Sequence, residues 1–173
     1  MFVDSPAVSA TPISSPFWPV VGLATLAGMR SAGAPTLLSY YLCRHPAPAL
    51  AATPWRVLQH PATTAALTLA AAHEFWHDKN PQAAPRTAAR GLSLRTLGGA
   101  LAGGAWYRAQ GRSALGGALL GGLGAAAATF GWYELRKAIT EKSSLPPSAV
   151  GLAEDVLLWS AGALLLRTLP RPA

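Results

Sequence analysis

Charge is what this sequence has least of. Only 12% of its 173 residues are Asp, Glu, Lys or Arg, about half the share of an ordinary globular protein, a deficit that suits lipid better than water. Seven carboxylates stand against 14 Lys and Arg. The formal charge of +7 would suit nucleic acid, but the basic residues sit singly at the ends of apolar runs and build no basic face, which excludes a nucleic-acid partner. A single cysteine, Cys43, excludes an intramolecular disulfide and reads as a small buried hydrophobe at the end of an apolar run. Residues 1–16 lack the positive n-region of a signal peptide; rich in Ser, Thr and Pro, with Asp4 as their one charge, they read as a flexible tail.

What is there is apolar and small. Mean hydropathy is only +0.28 because Ala and Gly outnumber Leu and Ile, and small residues let helices approach closely in a membrane. The pattern predicts an all-α fold, a polytopic transmembrane helical bundle of about five spans over residues 17–169, with a short C-terminal tail at 170–173. The first span, Phe17 to Cys43, is interrupted at Gly28-Met29-Arg30-Ser31-Ala32-Gly33-Ala34-Pro35. It is long enough to cross a bilayer, and is drawn as two half-helices with Pro19 and Pro35 in their opening turns. The break must lie against protein or line a wet cavity, since lipid offers no replacement hydrogen bonds.

Pro61 to His77 forms the second span, Gly91 to Tyr107 the third, Ser113 to Tyr133 the fourth and Val150 to Leu169 the fifth. Asn80 to Arg90 and Glu134 to Ser148 read as connectors. The third and fourth spans carry repeated small-xxx-small spacings and a tight turn at Gln110-Gly111-Arg112, predicting a Gly-rich antiparallel hairpin that also suits a homo-oligomer. Lys and Arg divide seven to six between the two sides, which sets no orientation under the positive-inside rule.

Two constellations carry chemistry. His73-Glu74-Phe75-Trp76-His77 satisfies H-E-x-x-H, which would place His73 and His77 on one helix face as zinc ligands, with Glu74 as general base and Glu154 or Asp155 as third ligand. Its plain alternative is a pair of amphipathic histidines near a membrane interface. More broadly, the acidic residues beyond the tail gather at span ends, where ionisable groups need partners such as Arg30, Lys79, Arg86, Arg90 or Arg95. They form either an interhelical ion-pair network or an ion pathway, in which Arg30 and the amides of Ser31 to Ala34 draw an anion to a half-helix N-terminus. The candidate ion- or ligand-binding set is Arg30, Ser31, Glu74, Asp78, Lys79, Arg86, Glu154 and Asp155.

The break at Gly28 to Pro35, Glu74 with Asp78-Lys79, the Pro85-Arg86-Thr87 loop, Arg95 ahead of the Gly-rich hairpin and Glu154-Asp155 together resemble the bacterial integral-membrane domain-of-unknown-function family 4126, over roughly Val20 to Leu166. The resemblance implies a multi-helix fold in the bacterial inner (plasma) membrane and brings no established activity. It also implies that Glu74 and Asp78-Lys79 matter rather than the two histidines. The expectation is a small transporter or channel for an ion or small anionic solute, without a cofactor. A zinc-dependent membrane hydrolase and a non-catalytic scaffold are the alternatives.

Overall fold

The computed structural model describes residues 15–77, 89–142 and 147–172, and all regular structure among them is helical. The helices are α1 (Phe17–Met29), α2 (Gly33–Arg44), α3 (Pro61–His77), α4 (Ala89–Ala109), α5 (Ala114–Lys142) and α6 (Pro147–Thr168), with two short 3-10 turns, Pro48–Leu50 and Pro54–Gln59, between α2 and α3. Two helices, α5 and the Ala149–Thr168 part of α6, are long and apolar enough to cross a membrane, where the sequence suggests about five spans. The difference is one of length and dilution. The two parts of the interrupted run have 13 and 12 residues, about 20 Å each at 1.5 Å per residue; α3 has 17, and in α4 Gly, Ser and Arg95 dilute the apolar content.

The interrupted run does not continue as one span. Its contacts show a helical hairpin. Near the start of α1, Val20 lies against Gly103 of α4 and Gly22 against Leu165 of α6. Near the end of α2, Tyr41 packs edge-on to Trp106 of α4 and its hydroxyl donates to the Leu169 carbonyl at 3.3 Å. The first arm therefore begins, and the second ends, beside the C-terminal halves of α4 and α6. The bend lies lower. There Ser31 meets Gly98 near the middle of α4, Gly28 meets Ala128 near the middle of α5, and Arg30 meets Asp155 on α6. The chain thus enters between the long helices, turns at Arg30 to Ala32, and returns.

Backbone geometry explains the turn. Arg30 is extended (φ −145°, ψ 132°), and its N–H still bonds to the Leu26 carbonyl, closing α1. Gly33 N–H bonds to the Arg30 carbonyl at 3.2 Å and Thr36 N–H to Ala32 at 3.0 Å, which opens α2. The Thr129 hydroxyl donates to the Gly28 carbonyl at 3.4 Å, at the terminal turn of α1 where carbonyls run out of helical donors.

α4 and α5 form the expected antiparallel hairpin, turning at Gly111 with φ 69°, where a side chain would be strained. Gly99 faces Gly121 and Gly103 faces Gly117 so closely that a Cβ on any of them would strike the opposing carbonyl. These small-residue faces are engaged within one chain. α5 also runs on to Lys142, so Glu134 to Lys142 is helix rather than the expected connector.

The core holds Trp106, Leu23, Leu38 and Leu158, yet many large apolar side chains of the long helices face outward. Leu115, Leu119 and Leu123, one stripe of α5 at four-residue spacing, are 68%, 56% and 71% exposed, and Leu152, Val156 and Leu164 of α6 are likewise exposed. Exposed apolar stripes of this kind mark a surface suited to lipid or to a partner.

Candidate functional site

The hairpin bend collects charge from three separate parts of the chain. Arg30 is 6% and Asp155 is 6% exposed, and Arg30 Nε donates to Asp155 Oδ1 at 2.6 Å, with Nη2 approaching the same oxygen. Asp155 Oδ2 is buried and has no hydrogen-bond partner among the described residues. The Arg30 guanidinium also lies 5.6 Å from the centre of the Phe75 ring, within cation–π range.

Next to this pair, Glu74 of α3 caps the second arm. Ser31 N–H donates to Oε1 at 3.0 Å, Ala32 N–H to Oε2 at 3.1 Å and the Ser31 hydroxyl to Oε2 at 2.9 Å. The amides around a helix N-terminus lack intrahelical acceptors and carry the positive end of the macrodipole, so a carboxylate there is favoured. The anion that the sequence leads one to expect at this half-helix is, in this arrangement, the chain's own Glu74.

The consecutive acids Glu154 and Asp155 take different partners because neighbours on a helix diverge by about 100°. Asp155 faces the bend, whereas Glu154 accepts from Arg136 Nη1 of α5 at 3.2 Å. Of the candidate set, Arg30, Ser31, Glu74 and Asp155 come together at the bend, and Glu154 belongs to a second contact between α5 and α6. Asp78, Lys79 and Arg86 lie outside the described residues.

The H-E-x-x-H segment does occupy the last turns of α3. His73 is exposed, and the His77 side chain lies outside the described residues. Both Glu74 oxygens accept hydrogen bonds from the bend, which leaves this carboxylate turned to Ser31 and Ala32. Among the described residues no group of three or more His, Cys, Asp and Glu is placed to hold a metal ion.

Three participants escape sequence reasoning. Phe75 is an unspecified x position of the H-E-x-x-H segment, and Thr129 is one Thr in an Ala-rich helix. Gly98 is one glycine among many, yet a Cβ on it would fall on the Ser31 carbonyl oxygen. The doubled Gly98-Gly99 is the one trace in sequence: Gly98 admits the bend and Gly99 admits α5.

No family model matches the chain, and neither a curated protein nor a solved structure matches it.

Proposed function

We propose that this chain is a multi-pass inner-membrane protein, related to family 4126, that moves an ion or small anionic solute through the site at the α1–α2 bend. One observation carries the reading. A helical hairpin enters among the long helices and turns near their middle, at a buried arginine flanked by carboxylates from α3 and α6. Irregular backbone at membrane depth is tolerated where protein or a wet cavity surrounds it, and half-helix ends with ionisable groups at the midplane are how transporters hold charged solutes. In this reading α3 and α4 complete the crossing with α5 and α6, and the apolar exterior faces lipid.

The chemistry follows from the partners. Arg30 and the amides of Ser31 and Ala32 attract negative charge, and Asp155 and Glu74 supply it at rest. An incoming anion competes with a carboxylate for the same donors, whereas a cation or proton is drawn to Asp155 Oδ2. Flux in proteoliposomes tests this. Wild type is expected to pass at least one ion of a broad panel, with Arg30→Ala and Asp155→Asn altering it; silence of wild type across the panel removes the reading.

A scaffold without transport is the second reading, favoured by the same hydrogen bonds, since internal carboxylates already satisfy Arg30 and the bend amides. Under it, charge exchange between positions 30 and 155 restores folding lost in each single variant, and no flux accompanies the fold.

A further inference from the structure

The end of the bundle where the hairpin arms begin and end is, among the described residues, acid-free. It gathers the C-termini of α2, α4 and α6 and the N-termini of α3 and α5, and with them Arg44, Arg56, Arg108, Arg112, Arg167 and Arg171. The described carboxylates, Glu74, Glu134, Glu141, Glu154 and Asp155, all lie toward the bend or the opposite end. Three of the six arginines converge. Arg44, Arg167 and Arg171 line one groove of about 440 Å³ between the ends of α2 and α6, whose walls include Tyr40, Leu166 and Leu169.

The groove is built by specific contacts. The Tyr41 hydroxyl shares its one proton between the Leu169 and Pro170 carbonyls, at 3.3 and 3.2 Å, which holds the chain leaving α6 against α2 and brings Arg171 to the groove that Arg44 lines. Arg44 lies over the Tyr40 ring at 4.7 Å, which orients the guanidinium beside a ring suited to the lipid headgroup level. Arg44 and Arg167 stand in the last turns of their helices, where the macrodipole favours cations. That favours one arginine at each helix end but does not explain three in one groove with an apolar wall.

We propose that this groove binds the headgroup of an anionic phospholipid, its phosphodiester against Arg44, Arg167 and Arg171 and its acyl chains along the apolar exterior of α6. The inference rests on the membrane reading above but not on transport. Basic pockets between membrane helices take anionic headgroups in this way, and bidentate guanidinium–phosphate geometry suits arginine rather than lysine. A lipid is favoured over free phosphate because half-buried Leu166 in the groove and the exposed Leu164 of the same helix would be left against water by a soluble anion.

The test uses the purified full chain. Stable incorporation into phosphatidylcholine vesicles is scored first. Apparent affinities for phosphatidylglycerol and phosphatidylcholine are then measured in detergent by native mass spectrometry, beside glycerol 1-phosphate as the soluble arm. The wild type is expected to prefer phosphatidylglycerol, the triple variant Arg44→Gln/Arg167→Gln/Arg171→Gln to weaken that preference by about tenfold or more, and Arg56→Gln/Arg112→Gln on the same face to keep it. The triple Lys variant, which retains charge, serves if the Gln triple does not fold, and is expected to bind more weakly than wild type. Equal affinity for the two lipids, equal loss in both Gln variants, an unchanged Lys variant in the absence of a folded Gln triple, or binding of glycerol 1-phosphate as tight as the lipid overturns the proposal. Failure to enter phosphatidylcholine vesicles removes the membrane reading itself, a result distinct from incorporation without lipid preference.

Discussion

Arg30 and Asp155, 125 positions apart in the sequence, meet at 2.6 Å between Nε and Oδ1 with both side chains less than a tenth exposed. The pair fastens the bend of the α1–α2 hairpin to α6, an element otherwise joined to it mainly by apolar contacts such as Gly22 with Leu165 and Leu37 with Gly162.

Removing one member leaves the other charge buried. Arg30→Met and Asp155→Leu are each expected to destabilise the fold by about 3–5 kcal/mol, while the double variant, with no charge left to bury, recovers most of the loss. Thermal unfolding in detergent of the four proteins checks this. A double variant as unstable as the sum of the singles would mean that the two residues do not act as a pair.

Glu74→Ala takes the acceptor from two backbone amides and one hydroxyl. The expected loss is about 1–3 kcal/mol, and hydrogen exchange should speed up at Ser31 and Ala32 before it does along the rest of α2. Glu74→Gln keeps one acceptor oxygen but sets an amide NH2 among donors, so its effect falls between wild type and Ala.

Glycines of the bundle separate by what surrounds them. Gly98→Ala places a methyl on the Ser31 carbonyl and is expected to destabilise by about 1–3 kcal/mol, because backbone must move. A Cβ added to Gly131 would meet nothing within 4 Å, and the position is exposed, so Gly131→Ala gains up to about 1 kcal/mol of helix propensity. Gly33 meets chiefly the Leu158 methyls, a flexible neighbour, and Gly33→Ala should be milder than Gly98→Ala. Urea or thermal unfolding of the three variants ranks them.

Zinc is expected to be sub-stoichiometric in purified protein by elemental analysis, and to stay so in the His73→Ala/His77→Ala variant. Stoichiometric zinc lost in the histidine variants would favour the hydrolase alternative.

Much of this protein is legible in one dimension. Low charge, apolar runs of fixed length and Gly spacings determine an all-helical chain; the interruption at Arg30, the hairpin turn at Gly111 and the limits of α3 follow from local backbone preferences that proline, glycine and apolar periodicity write directly. The sequence also marks Arg30, Glu74 and Asp155 as charges that need partners. Only the tertiary structure decides which partner each one takes, because Glu154 and Asp155 differ by a single helical step and yet face different helices. It alone decides that the run from Phe17 to Arg44 folds back on itself: an interrupted span and a helical hairpin share one local sequence, and the choice between them rests on contacts with Gly98, Thr129 and Asp155, far away in the chain. The convergence of Arg44, Arg167 and Arg171 is of the same kind, set by a tyrosine that ties the end of α6 to α2.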